Sequence, residues 1–275
     1  MRAKGGYRQL FDLSGKVAVV TGGAGIIGQE IVAALADHGA AVAVVDLDEG
    51  KAKAVAAELA ATYEVCTLGV GVDVADKASV VAMADAVERE LGPIDVLHNN
   101  AAGKGASLDA FFEPLETFDL DTWRAIMAVN LDGMFLVAQA VGSRMAQRGR
   151  GSIIQTASIY GAMGPDQRIY EGSEYLGRPI NTPPIYSASK AGVIGLTRYL
   201  AAYWGKAGVR VNTLTPGGVE SGQNERFSRQ YGARVPMGRM ALAHEMTGAV
   251  VYLASDASSY VTGQNLFVDG GLSAW

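Results

Sequence analysis

Two side chains four residues apart could do acid–base work in this chain: Tyr186 and Lys190, in the run IYSASKAG. A phenol has an ordinary pKa of about 10, so at neutral pH it is a poor base. A neighbouring ammonium group favours the phenolate and lowers that value. On a helix, residues i and i+4 share a face, which would bring the two groups together. Tyr160, Tyr170 and Tyr175 lie in the same stretch, but the residues four places beyond them are Gly164, Glu174 and Pro179. Only Tyr186 is paired in this way. Such a phenol can take the proton of an alcohol as a hydride leaves its carbon, or return a proton to a forming alkoxide. Ser158 closes the apolar run GSIIQTAS and could hold that oxygen, stabilising its developing charge.

These groups need a frame. Short runs rich in Val, Ile and Leu predict strands at 16–22, 40–46, 65–73, 94–100, 151–158, 209–216 and 264–271. Runs of this kind suit strands buried on both faces. Helical patterns fall between them, near 26–38, 48–61, 76–91, 119–147, 186–206 and 243–254. Asp48 and Asp76 are placed to cap helix starts, and Gly39 and Gly92 to stop them. Alternation of strand and helix along the whole chain predicts α/β architecture, a Rossmann-type doubly wound parallel sheet of about seven strands in a single domain spanning 1–275. Ser158 then stands at the end of the fifth strand, where such sheets meet their ligands.

The first predicted strand runs directly into TGGAGIIGQEIVAALADHG. Gly23, Gly25 and Gly28 satisfy G-x-G-x-x-G, which permits a tight turn and close approach of backbone to a pyrophosphate at a helix N-terminus. Asp46 ends the next strand, 18 residues after Gly28. This strand–turn–helix context with a following acid is that of a dinucleotide site. The Asp46 carboxylate can accept from both ribose hydroxyls and would repel a 2′-phosphate. No Arg or Lys in the glycine turn offsets that repulsion, so NAD is expected rather than NADP.

Composition narrows the rest. The chain has 275 residues, 49% hydrophobic and 19% charged, enough apolar material for a sizeable core. A formal net charge of −5 disfavours nucleic-acid binding through bulk electrostatics. The single cysteine, Cys66, precludes an intrachain disulfide and fits a reducing compartment. MRAKGGYRQLFDLSGK lacks the apolar run of a signal peptide, and the other apolar segments are expected to be too short to span a membrane. A cytoplasmic location is the expectation. His38, His98 and His244 do not sit at metal-ligand spacing with acids or Cys66, so no metal is expected.

Taken in order, TGGAGIIG, Asp73-Val74, NNAAG at 99–103, Asn130, Ser158, Tyr186-x-x-x-Lys190, Pro216-Gly217 and the closing VTGQNLFVDGG resemble the short-chain dehydrogenase/reductase family from about Leu13 to Gly271. The resemblance implies an NAD-dependent oxidoreductase with Asn130, Ser158, Tyr186 and Lys190 as its catalytic set. In it the Asn130 carbonyl helps hold a water that links Lys190 to solvent, and Lys190 also binds the ribose. It implies cofactor contacts from Gly22, Gly23, Gly25, Ile27 and Gly28. Asp73 and Val74 would meet the adenine, and Asn99, Asn100 and Ala101 would line the adenosine side. Pro216, Gly217, Val219 and Ser221 would lie at the nicotinamide. This chain departs from the family pattern in three places. Ile26 stands where the turn usually has glycine, Ala102 interrupts NNAG, and Ser221 replaces a common threonine. A homotetramer built through the helices near 119–147 and 186–206 and the C-terminal strand is also implied.

Ser158 and Tyr186 are 28 residues apart, more than the family usually shows. The surplus lies within 161–185, rich in Gly and Pro, and a long loop between two catalytic residues is expected to border substrate. Its Asp166, Arg168, Tyr170, Glu171, Glu174, Tyr175 and Arg178 suggest a polar wall suited to a sugar, sugar acid or polyol. The pattern IYGxxxPDxxIYEG resembles that of family members associated with carbohydrate metabolism and surface-glycan synthesis. A second substrate loop at 217–241 carries Arg226, Arg229, Arg234 and Arg239, which could meet an anionic substrate. The expected reaction interconverts a secondary alcohol and a ketone, or a sugar hemiacetal and its lactone. The alternatives are a biosynthetic carbonyl reductase, a sugar-nucleotide epimerase or dehydratase, and a non-catalytic nucleotide-binding protein.

Overall fold

Residues 6–275 are described in the computed structural model; residues 1–5, where the segment expected to lack a leader begins, lie outside the described residues. Seven strands form one sheet: β1 Val17–Thr21, β2 Ala41–Asp46, β3 Thr67–Gly71, β4 Ile94–Asn99, β5 Gly151–Thr156, β6 Val209–Pro216 and β7 Asn265–Val268. Their order is β3-β2-β1-β4-β5-β6-β7, and every neighbouring pair is parallel. All seven predicted strands are present. The ends of β3 and β7 are trimmed because both are sheet edges with a neighbour on one side only.

The principal helices are α1 Ile26–Asp37, α2 Glu49–Tyr63, α3 Lys77–Glu90, α4 Leu120–Arg148, α5 Pro184–Trp204, α6 Glu225–Gly232 and α7 Thr247–Ala254. Asp48 and Asp76 accept from Lys51 N (3.0 Å) and Ala78 N (2.9 Å), capping α2 and α3 as expected. Gly39 and Gly92 follow α1 and α3 at φ +91° and +102°, conformations only glycine adopts cheaply. The helices cover both faces of the sheet. On one side, residues of α1, α2 and α7 pack on Val20, Val42 and Val44. On the other, residues of α3, α4 and α5 pack on Val19, Val45 and Leu97.

α4 differs from expectation in two ways. Its middle, Ala128–Gly133, is a π-helical turn, so the regular hydrogen-bond ladder is broken at Asn130. The continuous run Leu120–Arg148 is also long and apolar enough to pass for a membrane span, contrary to the expectation of short apolar segments only. The apolar content here serves the core: Val137, Ala138, Val141 and Met145 are fully buried in the cluster that joins α4 to the sheet.

The strand order reverses between β1 and β4, which opens a crevice at the carboxyl ends of the strands, the usual ligand position in sheets of this order. α4 and α5 meet the sheet closely on the side below it. A Cβ at Gly142 would lie 2.5 Å from the Trp204 ring and 3.0 Å from Ile153 Cδ1. Gly142→Ala is therefore expected to destabilise the fold by about 1–3 kcal/mol through overpacking. The check is a lower denaturant midpoint with an unchanged slope.

Candidate active site

Ser158, Tyr186 and Lys190 come together on one cleft of about 970 Å3. Ser158 follows β5 and caps the short helix Ile159–Ala162, its Oγ accepting from Tyr160 N at 3.3 Å. Tyr186 and Lys190 lie one turn apart near the start of α5. That start is fixed by Pro184 at the first helical position, where the missing N–H costs nothing. Tyr186 is half-buried, and Lys190 is only 2% exposed.

The lysine's hydrogen bond within the protein is to the strand. Lys190 Nζ donates to the Thr156 carbonyl at 2.9 Å, and burial lowers its pKa from 10.5 to about 8. Tyr186 is pushed above its ordinary value by burial, with the neighbouring Ser158 hydroxyl pulling the other way. Among the protein's own groups, desolvation is the largest influence on the phenol and the Ser158 hydroxyl opposes it.

Asn130 is completely buried in the π turn. Its Oδ1 accepts from Gly103 N at 2.7 Å, so the side-chain carbonyl is already committed to the loop after β4. Its Nδ2 is buried without a protein partner.

The glycine turn and its neighbours form the other end of the cleft. Gly22, Gly25, Ile26, Ile27, Gly28, Asp46, Asp73, Val74, Asn100 and Ala101 line it, as do Pro216, Gly217, Val219 and Ser221. Gly28 is required by packing, since a Cβ there would lie 2.0 Å from Gly22 O. Gly23 is not in the lining. It sits under the turn with its N–H donating to Val45 O at 3.0 Å, and a Cβ would meet Val20 O at 2.9 Å. The N-terminus of α1 has Gly25 as its cap and no side-chain acceptor on its N–H groups, which suits an incoming phosphate. Ile26, in place of the usual glycine, opens α1 with its side chain exposed. Asp46 accepts from Ala24 N at 3.1 Å and from Asp48 N at 3.2 Å, which fixes its carboxylate beside the turn. These residues fit a nicotinamide dinucleotide.

Asn99 does not line the cleft. It is buried, donating from Nδ2 to Met134 O at 2.8 Å and accepting from Thr21 Oγ1 at 3.2 Å. Alternation along β4 turns it inward while Asn100 faces the cleft. Ser221 is held by Gln223, which donates to its Oγ at 2.9 Å and accepts from its N–H at 2.8 Å.

The segment 161–185 is folded into a wall. It contains a 3-10 turn at Gln167–Tyr170 and a two-strand hairpin pairing Glu174–Tyr175 with Arg178–Pro179. Its charged residues do not face the cleft. Asp166 pairs with Arg168 at 2.7 Å and with Arg234, and Arg178 pairs with Asp109 at 2.6 Å. Tyr160, Tyr175, Ile180, Asn181 and Thr182 line the cleft instead. The wall is thus aromatic, amide and hydroxyl in character rather than charged, because opposite charges find partners at lower cost in solvent. None of the four arginines of 217–241 lines the cleft either; Arg229 and Arg239 pair with Glu225 and Glu245. The cations that line it are Lys190 and Lys104, whose Nζ lies 4.4 Å from the Tyr175 ring centroid.

Comparison with known proteins places this geometry. A family model described as enoyl-(acyl carrier protein) reductase matches residues 22–273. The chain belongs to the short-chain dehydrogenase/reductase family. It is 41% identical over 266 residues to D-threitol dehydrogenase of Mycolicibacterium smegmatis, covering 95% of this chain and 94% of that one. It is 36% identical to gluconate 5-dehydrogenase of Gluconobacter oxydans, covering 97% and 98%. A gluconate 5-dehydrogenase from Burkholderia cenocepacia, solved with NADP and tartrate, superposes with a TM-score of 0.84 at 37% identity, covering 97% of this chain and 98% of that one. The chain is a nicotinamide-dependent oxidoreductase of this family.

Two threonines that the sequence reading passed over organise this dehydrogenase site. Thr21 Oγ1 accepts from Asn100 N (2.9 Å) and Ala101 N (3.0 Å), tying the loop after β4 to the glycine turn. Its position directly before Gly22 was the available signal. Thr156 receives Lys190 on its carbonyl and shares a 2.8 Å hydrogen bond with His98 Nε2 through its hydroxyl. Burial lowers His98 to about 3, which keeps that ring neutral. No local signal in the sequence pairs residues 98 and 156.

The Lys190 shift carries a stability consequence. Its folded pKa of about 8 lies below the ordinary 10.5, so the unfolded chain binds more protons between these values. Stability therefore rises with pH across that window and is penalised below it. Lys190→Met should relieve a penalty on the order of 3 kcal/mol at pH 7, less the loss from an unpaired Thr156 carbonyl. Unfolding of both proteins from pH 6 to 10.5 should show the variant's relative advantage shrinking above pH 8. A difference independent of pH would contradict the assignment.

Proposed function

We propose that this enzyme uses NAD to oxidise a secondary alcohol of a polyol, sugar or sugar acid to the ketone, or runs the reverse. The observation that carries this is the single cleft joining Ser158, Tyr186 and Lys190 to the glycine turn and Asp46. Relatives named for D-threitol and gluconate support the substrate class. A sugar hemiacetal would react by the same proton and hydride movements.

In this reading Tyr186 takes the carbinol proton or returns it. Ser158 holds the same oxygen and stabilises its charge as the bond order changes. Lys190 stays one turn below, where it can hold ribose hydroxyls and pass the proton onward. The Asn130 side chain is committed to Gly103, so the carbonyl offered to a relay water is that of the π-turn backbone. The bound oxidised nicotinamide supplies the hydride acceptor and a positive charge near the phenol. Gly22, Gly25, Ile27, Gly28, Asp73, Val74, Asn100, Ala101, Pro216, Gly217, Val219 and Ser221 hold the dinucleotide, with Gly23 supporting the turn from beneath. The segments 161–185 and 217–241 are the substrate loops, and an anionic substrate group would meet Lys104.

NAD is favoured over NADP because the Asp46 carboxylate, fixed beside the glycine turn, would repel a 2′-phosphate. Of the cations that line the cleft, Lys104 lies over Tyr175 and Lys190 follows Tyr186 by one turn of α5. The enzyme acts in the cytoplasm as a homotetramer. In support of assembly, Phe135 on α4 and the stacked pair Tyr199 and Tyr203 on α5 are exposed apolar rings on neighbouring helices.

A panel of polyols, sugars and sugar acids assayed by NAD reduction tests the reading, and turnover of none would defeat it. Tyr186→Phe is expected to lower kcat by about 10²–10⁴-fold while NAD still binds, measured by fluorescence titration. Equal loss of both would point to a structural role. Asp46→Ala should reduce the NAD-over-NADP preference in kcat/KM by about tenfold or more, equivalent to about 1.4 kcal/mol. An unchanged preference would remove Asp46 as the selector.

A further inference from the structure

The wall segment contains a group of hydroxyls that the reaction itself does not use. Tyr170 OH and Thr182 Oγ1 are directly hydrogen-bonded. The Tyr160 phenol lies close enough to Tyr170 for the two to interact. Tyr160 and Thr182 line the same cleft as Ser158 and Tyr186, whereas Tyr170 stands behind them.

This group is held from several directions. The Tyr170 ring stacks on Phe227 of α6 at 5.6 Å between centroids, and Phe227 in turn packs on Tyr231 at 5.7 Å. Tyr231 OH accepts from Gly218 N, which anchors the stack to the turn after β6. Buried Ser173 reaches Ile169 O at 2.8 Å and Gln230 Oε1 at 3.0 Å, closing the 3-10 turn onto α6. Thr182 is fixed on both sides. Asn181 Nδ2 donates to Phe112 O at 2.7 Å before it, and Pro183 and Pro184 lead into α5 after it. Thr182 therefore stands one helical turn's count before Tyr186 on a stiff connection.

We propose that Tyr160 and Thr182 form a second hydroxyl-binding subsite beside the reacting carbinol, with Tyr170 as the positioning residue that holds them. This rests on the reading of the enzyme as a polyol or sugar dehydrogenase and names the feature it selects: a further hydroxyl near the carbon being oxidised. The chemistry follows from counting. Tyr160, Tyr170 and Thr182 carry three hydroxyl protons among them and interact in two pairs, Tyr160 with Tyr170 and Tyr170 with Thr182, so one proton and several lone pairs remain for other partners. A substrate hydroxyl, both donor and acceptor, matches such a pair. A carboxylate matches it less well, since it only accepts and leaves the lone pairs of the group without a donor. An alcohol lacking that hydroxyl would leave the pair unsatisfied in a cleft it fills poorly, which is how such sites discriminate.

The test uses the intact enzyme, saturating NAD, the best polyol of the panel above, and its analogue lacking the hydroxyl next to the oxidised carbon. For threitol that analogue is 1,2,4-butanetriol. The readout is the ratio of kcat/KM for polyol over deoxy analogue. Wild type should prefer the polyol by about tenfold or more, the effect of one hydrogen bond. Thr182→Val and Tyr160→Phe should each collapse the ratio toward unity, chiefly through KM, while Thr182→Ser keeps it. Tyr170→Phe should lower the ratio without touching substrate. A merely structural role would lower kcat/KM for both substrates alike and leave the ratio intact, and that result overturns the subsite. A wild-type ratio near unity does so as well. An enzyme inactive on the whole panel defeats the functional reading itself, a distinguishable failure.

Discussion

A lysine ammonium placed out of water needs an oxygen, and the organisation of this site follows from the one it finds. Lys190 is anchored on the Thr156 carbonyl at the end of β5. For that bond to form, α5 must lie against the end of β5. The same approach brings Ser158, two residues beyond Thr156, to face Tyr186. His98 from β4 meets the Thr156 hydroxyl and ties the neighbouring strand to the same point. Burial of a cation is costly unless it is hydrogen-bonded, and burial lowers the Lys190 pKa even with that bond in place.

The two ends of the cleft are built by opposite means. The dinucleotide end depends on absent side chains. Gly22 and Gly28 let the turn, α1 and the loop after β4 approach within distances a Cβ would prevent. The other end depends on added chain. Residues 161–185 fold onto α6 and its flanking turn through Ile169, Tyr170, Phe227 and Tyr231, a small core separate from those on the two sheet faces. A segment with its own buried cluster can vary without disturbing the sheet.

Much of this was legible beforehand because it is written in local spacing. The strand runs, Asp48 and Asp76 as caps, the stops at Gly39 and Gly92, and the Tyr186–Lys190 pairing each involve residues within a turn or two of one another. Other features were misjudged for a physical reason. The charged residues of 161–185 suggested a polar wall, but Asp166 and Arg178 are matched by Arg234 and Asp109 from elsewhere in the chain. The π turn at Asn130 was not visible as such, since an Asn in a helix signals weak propensity and not a change of register.

The sequence by itself determined the alternation of strands and helices, the glycine turn with its acid, and the identity of the phenol that has a lysine one turn away. Those are properties of neighbours, governed by backbone geometry and side-chain period. Only the tertiary structure decided where the lysine points, that Asn99 turns inward while Asn100 faces the cleft, and that Thr21 and Thr156 are the ties. It also decided that Tyr160, Thr182 and Tyr186 share one wall. These depend on which groups can satisfy one another when different segments of the chain are brought into the same desolvated space.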